Sequence, residues 1–539
     1  MMNFEWDLPY GLRRIPVFAG NVVATTQPLA AQAGLAMLRQ GGNAVDAAIA
    51  TAATLTVVEP ISCGLGSDGF VLVWDGERVR GLNMTGRSPA AMPEQFPGLD
   101  AVPWNGWETV TVPGVVAGWA ALSKEFGRLP FARLFEPAVN YARDGFLVSP
   151  TIARVWGGLK LAFRKYPDIM RTYYPDGEPP EPGSLVKLPD HAKSLETIAM
   201  TSGEDLYRGR LAEKIVDHAR NTGGWLSRED LAGHVPEWVE PLTIEYRGVE
   251  LHEMPPNSQG LAVLSALGIL NHFDLPSYPV DSADSIHLQI ETLRVVLADL
   301  APHVAEPAVM RVDAKSFLDA DYLKRRAADI ALDTARFPSR GVTADAGTTY
   351  VAAGDASGMM VSYIQSSGRG WGSGMVVPGT GIALSARGHW FSPDPAHPNR
   401  IGPGKRPFNT NIPALVTRDG RPVACFGLMG GHAQPHVHVQ FMTRLIDYEQ
   451  DPQKTVESPR WRLAVDEPAI LVERGMDPAV HRELERRGHR IVATETHYPA
   501  GNSPFGNAIL FGGAQMIYRL EDGYIAASDP RRDGQAVGF

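Results

Sequence analysis

The stretch from Gly347 to Gly374 constrains the fold more than any other part of the chain. It reads GTTYVAAGDASGMMVSYIQSSGRGWGSG. A Gly-Thr-Thr step leads into a predicted strand, which is followed by a turn, a second strand and a glycine-rich loop. Cleavage of the chain before Thr348 would leave this threonine with both a hydroxyl nucleophile and a free α-amine as its base. The stretch therefore predicts catalysis by an N-terminal threonine.

Composition excludes several other classes of protein. The chain has 539 residues and a net charge of −10, so it lacks the basic surface that binds nucleic acid. Its apolar runs end before about 18 residues, which is too short to span a membrane. Cys63 and Cys425 are the only cysteines, and the N-terminal segment has no apolar leader. These features predict a cytoplasmic protein without a disulfide framework.

Helical and strand patterns indicate a layered fold. Residues 28–38 and 44–58 are rich in Ala and Leu and predict two helices, with Asn43 as the N-cap of the second. The second helix has almost no polar face, so we expect it to be buried. Strand patterns dominate after Tyr350, and the Pro- and Gly-rich segment 165–190 predicts a surface loop. Strands with covering helices favour an α/β protein.

Several segments, in a fixed order, carry a resemblance to a known family. They are QGGNAVDAAIATA (40–52), TVPGVVAGW (111–119), EPAVNYARDGF (136–146), the stretch around Thr348, GPGKRP (402–407), MGG (429–431) and ASDPRRDG (527–534). Together they resemble proenzymes of the gamma-glutamyltransferase family, which are N-terminal-nucleophile hydrolases.

This resemblance implies a four-layer αββα sandwich of the α/β class. It also implies self-cleavage into a large subunit, residues 1–347, and a small subunit, residues 348–539. The two fragments would remain together as a heterodimer and form one composite αββα unit, and pairing of two heterodimers stays open. A small-molecule amide is the implied substrate, with neither a metal nor an organic cofactor and with no nucleic acid or membrane partner.

The resemblance also implies roles for individual residues. Thr348 matches the nucleophile, and Thr349 follows it as the second threonine of the family's pair. Gly430 and Gly431 match the positions whose backbone N–H groups stabilise the oxyanion. Arg87 matches the arginine that binds the substrate carboxylate, a task that suits its planar fork of donors.

Four further substrate-binding candidates depart from the family's usual residue types. Asn409 and Thr410 replace two serines, Ser366 replaces an asparagine, and Trp390 stands where an acidic residue binds the substrate ammonium. We therefore expect a substrate that has a carboxylate but no α-amino group. With NFEWDLPY, TQPLAAQAGL and PGTGIALSARG, this pattern resembles the oxamate-amidohydrolase branch. The alternative is a gamma-glutamyltransferase or glutathione hydrolase, and a larger acyl group also stays open.

Other hypotheses compete with this one. His432, His436 and His438 have a spacing that metal ligands can use, which would suit a metal-dependent amidohydrolase, although no nearby carboxylate completes the cluster. Cys63 is a second candidate nucleophile but has no recognisable base. A member of the family without catalytic activity is a third hypothesis. Trp371, in the glycine-rich loop, predicts a mobile lid beside the nucleophile.

Overall fold

Two seven-stranded sheets form the centre of the protein within residues 14–96, 101–336, 347–464, 468–494 and 511–539, which the computed structural model describes. The strands, in chain order, are β1 (Val17–Ala19), β2 (Val22–Thr25), β3 (Asp68–Trp74), β4 (Val79–Asn83), β5 (Phe146–Leu147), β6 (Leu185–Val186), β7 (Glu237–Val239), β8 (Leu242–Tyr246), β9 (Val249–Glu253), β10 (Gly347–Gly354), β11 (Met360–Gly368), β12 (Val376–Val377), β13 (Ile382–Ala383), β14 (Ala414–Arg418), β15 (Arg421–Met429), β16 (Trp461–Leu463), β17 (Ala469–Glu473), β18 (Arg490–Thr494), β19 (Gly513–Leu520), β20 (Gly523–Ser528) and β21 (Gln535–Gly538). The first sheet has the order β21-β2-β10-β11-β3-β4-β7, and the second has the order β1-β20-β19-β15-β14-β9-β8.

Helices cover the outer face of each sheet. In chain order they are α1 (Pro28–Arg39), α2 (Ala44–Val58), α3 (Val115–Phe126), α4 (Glu136–Asp144), α5 (Pro150–Phe163), α6 (Pro167–Tyr173), α7 (Pro189–Thr201), α8 (Glu204–Arg208), α9 (Arg210–Thr222), α10 (Arg228–Ala232), α11 (Gly260–Leu270), α12 (Ala283–Leu300), α13 (Ala320–Ala328), α14 (Gln434–Met442), α15 (Pro452–Glu457) and α16 (Pro478–Arg486). Helices α1 to α10 share a hydrophobic core with the first sheet, and helices α11 to α16 share another with the second. In the described part of the chain, none of the helices has the length and apolar character needed to cross a bilayer.

Strand β10 demonstrates how the layers are built. Its side chains alternate between two cores, because successive residues of a strand point to opposite faces. Tyr350 and Ala352 lie in the cluster between the two sheets, whereas Val351 and Ala353 pack against the helices outside the first sheet. Both faces are buried, which explains the continuous apolar run in this strand. The resulting order of helix, sheet, sheet and helix confirms the predicted αββα sandwich.

Helices α1 and α2 form the predicted pair. The Asn43 side chain accepts a hydrogen bond from the Asp46 N–H, and the Asp46 carboxylate accepts one from the Asn43 N–H, both at 3.0 Å. This reciprocal cap begins α2, of which every residue is buried. Gly34 permits the close crossing of the helices, because a Cβ atom there would lie 2.2 Å from the Thr51 Oγ1 atom.

Two predictions in the region around α6 are wrong. The segment 165–190 is not a loop throughout, because α6 begins at Pro167, a residue suited to the first turn of a helix. Trp371 is not a mobile lid. Its fully buried ring stacks on Tyr173 at 3.9 Å, and its indole N–H donates to the Tyr174 hydroxyl at 3.2 Å. Trp371 therefore anchors the glycine-rich loop to the helical layer.

Replacement of Trp371 by Ala should lower the free energy of unfolding by about 3–5 kcal/mol, because it removes a fully buried aromatic ring. The midpoint of urea denaturation measures this loss. Leu161→Ala in α5 is the control, since Leu161 is 69% exposed and its truncation should change stability by less than about 0.5 kcal/mol. An unchanged midpoint for Trp371→Ala, with an altered KM, would restore the lid hypothesis.

Candidate active site

Thr348 lies at an irregularity in the pairing of β10 with β11. Gly347 pairs with Gly368 and Thr349 pairs with Gln365, so two residues of β11, Ser366 and Ser367, lie opposite the single residue Thr348. Such a bulge interrupts the regular ladder and bends the strand that carries the extra residue, which here is β11. Thr348 therefore lies opposite the bulge of β11 at the point where the chain is predicted to be cut.

The Thr348 hydroxyl is fully buried among polar groups. Its Oγ1 atom lies 3.5 Å from the Ser366 Oγ atom and 3.5 Å from the Asn411 Oδ1 atom. The Ser366 hydroxyl donates to the Gly347 carbonyl oxygen and accepts a 2.8 Å hydrogen bond from the Gly368 N–H. A single serine therefore contacts both the predicted nucleophile and the carbonyl of the peptide bond that precedes it.

Asn409 connects this group to a buried ion pair. Its amide donates to the Asp68 Oδ2 atom at 3.0 Å, and its oxygen accepts from the Asn411 N–H at 3.0 Å. Arg387 binds the same carboxylate through two hydrogen bonds of 2.8 Å, and its guanidinium lies 4.8 Å from the centre of the Trp390 ring. Asp68, Arg387 and Asn411 were not predicted as site residues.

Gln259 links the other predicted residues to this cluster. Its amide N–H groups donate to the Thr410 carbonyl at 2.5 Å and to the Gly431 carbonyl at 3.0 Å. Gly430 and Gly431 follow β15 and lead into α14, and Gly431 has a φ of 53°, a left-handed conformation that favours glycine. Their role as oxyanion donors stays a prediction.

Arg87 is partly exposed and has two polar partners in the structure. It forms an ion pair with Glu306 and donates to the Gly404 carbonyl at 3.0 Å, and its side chain is 44% exposed. Arg387, by contrast, is connected to Thr348 by contacts through Asp68, Asn409 and Asn411. Carboxylate binding by Arg87 stays a prediction.

Two alternative chemistries find little support. Burial raises the pKa of the Cys63 thiol to about 12, which keeps it protonated.

The three histidines of the metal hypothesis make different contacts. His432 stacks on Phe408, His436 bonds to the His432 carbonyl, and His438 bonds to Glu253. Within the described ranges, no three His, Cys, Asp or Glu side chains converge as metal ligands would.

Several buried polar atoms near Thr348 have no hydrogen-bond partner among the described residues. They are the Arg387 Nη1, Trp390 Nε1, Asn411 Nδ2 and Thr410 Oγ1 atoms. The first three can only donate, and buried donors without acceptors are costly. An acceptor oxygen beside each of the three donors would satisfy them.

A cavity with a volume of about 330 Å³ adjoins this cluster at Gln259 and Trp390. Its walls are mostly apolar and come from α11, α12 and the segments beside them, including Leu261, Leu297, Leu300, Val304, Phe391 and Phe408. Mostly apolar concave sites of this size are typical of small-molecule binding.

The αββα sandwich places the chain in the class of N-terminal-nucleophile hydrolases. The family model described as Gamma-glutamyltranspeptidase matches residues 30–539. The chain belongs to this family.

The chain is similar over nearly its whole length to proteins that have different names. The glutathione hydrolase-like YwrD proenzyme of Bacillus subtilis is 35% identical, covering 96% of this chain and 98% of the relative. The oxamate amidohydrolase proenzyme of Klebsiella pneumoniae is 32% identical, covering 95% and 97%. A cephalosporin acylase structure from Bacillus halodurans is 41% identical, with a TM-score of 0.92 and coverage of 100% and 99%. These relatives support a hydrolase.

Glu59 lies in the loop that packs against the predicted cleavage site. Its carboxylate accepts hydrogen bonds from the Thr26 hydroxyl at 2.6 Å and the Ser62 hydroxyl at 2.9 Å. A Cβ atom on Gly347 would be 3.5 Å from the Ser62 Cα atom, so the two segments are in contact. Burial raises the pKa of Glu59 from 4.5 to about 7.

Glu59→Gln should therefore change how stability depends on pH. The folded wild type binds the Glu59 proton more tightly than the unfolded chain, so stability falls as pH rises from about 4.5 through about 7. We expect the variant to gain up to about 3 kcal/mol relative to wild type between pH 5 and pH 8. Melting temperatures at both pH values measure this, with the exposed Glu77→Gln as the control. Parallel pH profiles would contradict the prediction.

Proposed function

We propose that this chain is a self-processing N-terminal-threonine amidohydrolase that acts on small amides with a carboxylate-bearing acyl group, such as oxamate. The observation that carries the proposal is the position of the Thr348 hydroxyl beside Ser366, which binds the Gly347 carbonyl. Both sheets combine strands from before and after residue 347, so the fragments 1–347 and 348–539 would remain together as a heterodimer.

Self-cleavage requires the Thr348 oxygen to attack the Gly347 carbonyl carbon. The hydrogen bond from Ser366 to the carbonyl oxygen polarises this carbonyl and stabilises the negative charge that develops on it. As the C–N bond breaks, the hydroxyl proton passes to the Thr348 nitrogen and an ester forms. Water then hydrolyses the ester, which leaves a carboxylate on Gly347 and a free amine on Thr348.

Amide hydrolysis repeats the same chemistry on a substrate. The free amine of Thr348 takes the hydroxyl proton, and the oxygen attacks the substrate carbonyl. The amine then protonates the leaving nitrogen as the acyl-enzyme forms, and water hydrolyses this ester to release the acid. Gly430 and Gly431 would donate backbone hydrogen bonds to the oxyanion.

The intact mass of purified protein tests the nucleophile. Wild type should appear as two fragments that meet between Gly347 and Thr348, and Thr348→Ala should remain a single inactive chain. Thr348→Ser keeps a hydroxyl and should still be cut. Ser366→Ala should be cut at least about 10²-fold more slowly, as expected for loss of one oxyanion donor. An uncut wild type that hydrolyses amides would overturn the mechanism.

The carboxylate preference is supported by the unpaired donors of Arg387, Trp390 and Asn411. The departure from the family at Trp390 supports a substrate without an ammonium group. Ammonia release from oxamate should therefore exceed nitroaniline release from a γ-glutamyl anilide. Robust turnover of the anilide without turnover of oxamate would contradict the small-acid proposal and favour the γ-glutamyl alternative.

A second candidate function is supported by the apolar cavity beside Trp390. Oxamate would leave most of its volume of about 330 Å³ empty, whereas an acylase acting on a larger apolar acyl group would use it. The likeness to a cephalosporin acylase also supports this candidate.

Ala301→Trp separates the two candidate functions, because Ala301 lines the cavity and is exposed enough to accept a larger ring. If the cavity holds the acyl group, the variant should lose roughly 10–200-fold in kcat/KM for a 4-phenylbutyryl anilide. Ammonia release from oxamate should change by less than about twofold, which is the internal control. Equal effects on both substrates would exclude the cavity as an acyl site.

A further inference from the structure

Asp68 and Arg387 form an ion pair in the interior of the protein. Two parallel hydrogen bonds of 2.8 Å join the carboxylate to the guanidinium, and the side chains are 1% and 0% exposed. Bidentate geometry makes such pairs strong and fixes the orientation of both partners.

This pair belongs to the surroundings of the nucleophile. Asp68 lies directly opposite Ser366 in the pairing of β3 with β11, so both side chains are on one face of the first sheet. A chain of contacts continues from Asp68 through Asn409 and Asn411 to the Thr348 hydroxyl.

The charge of Asp68 is already neutralised. Asp68 supplies the carboxylate in the chain of contacts between Thr348 and Arg387. A substrate with an ammonium group would need this carboxylate as its partner. Arg387 donates hydrogen bonds to both Asp68 carboxylate oxygens, and Asn409 donates a further one to Oδ2. An ammonium group placed there would find the Asp68 carboxylate already paired with a guanidinium. Its attraction to Asp68 would therefore not offset the cost of its desolvation. The Arg387 Nη1 atom remains as a donor without a partner among the described residues.

We propose that Arg387 determines substrate specificity: by pairing with Asp68 it excludes acyl groups that carry an α-ammonium, and it offers its remaining N–H groups to an anionic acyl group. This inference rests on the proposed function, because it concerns substrates of the same threonine.

The variant Arg387→Gln tests this role with two substrates that differ only in the α-ammonium group, γ-glutamyl-p-nitroanilide and glutaryl-p-nitroanilide. The variant frees the Asp68 carboxylate, so the ratio of kcat/KM for the γ-glutamyl over the glutaryl substrate should rise at least about tenfold above the wild-type ratio. The double variant Asp68→Asn/Arg387→Gln removes the carboxylate and should lose this gain. A cleaved, folded Arg387→Gln protein with an unchanged ratio would overturn the proposal.

Binding to the wild-type protein provides an independent measurement if Arg387→Gln fails to fold. Calorimetry should show glutarate binding at least about tenfold more tightly than L-glutamate, and equal affinities would overturn the proposal. Failure of the proposed function has a different signature, namely an uncut wild-type chain that hydrolyses neither anilide. Calorimetry still tests the predicted preference for an acyl group without an ammonium in that case, because it requires no turnover.

Discussion

The pairing of β10 with β11 is the constraint on which the candidate site depends. Both strands are buried on both faces, so a shift of one residue would exchange their two sets of apolar side chains between different cores. The register is therefore fixed along the strands and is relaxed only at the bulge beside Thr348. A rigid ladder up to that point holds the hydroxyl beside Ser366, which belongs to the bulge of β11.

The polar groups around Thr348 come from both sides of residue 347. Asp68 lies on β3, before the predicted cleavage site, whereas Ser366, Arg387 and Asn409 follow it. Strands from before and after residue 347 lie side by side in both sheets. Cleavage can therefore free the amine of Thr348 without dismantling the network, because the same sheets hold both fragments. The geometry that supports self-cleavage also supports turnover of an external amide.

Local patterns predicted individual helices and strands, the family resemblance predicted the layers, and neither predicted the contacts between distant segments. The caps, the buried α2 and the strands after Tyr350 follow from short-range periodicity, and these were confirmed. The Asp68–Arg387 pair was missed because its members are 319 positions apart and each lies in an ordinary glycine-containing segment. Trp371 was misjudged for the same reason, since its burial depends on aromatic residues of α6 and its flank that are distant in sequence.

A buried ion pair is weak evidence for stability, because desolvation of two charges offsets much of their attraction. Asp68 and Arg387 instead fix the orientation of neighbouring polar groups. Their pairing holds the Asn409 amide, which in turn fixes the backbone at Asn411 beside the nucleophile. An apolar pair of the same volume could fill the space equally well. It would leave Asn409 without its acceptor and would remove the donor that distinguishes one acyl group from another.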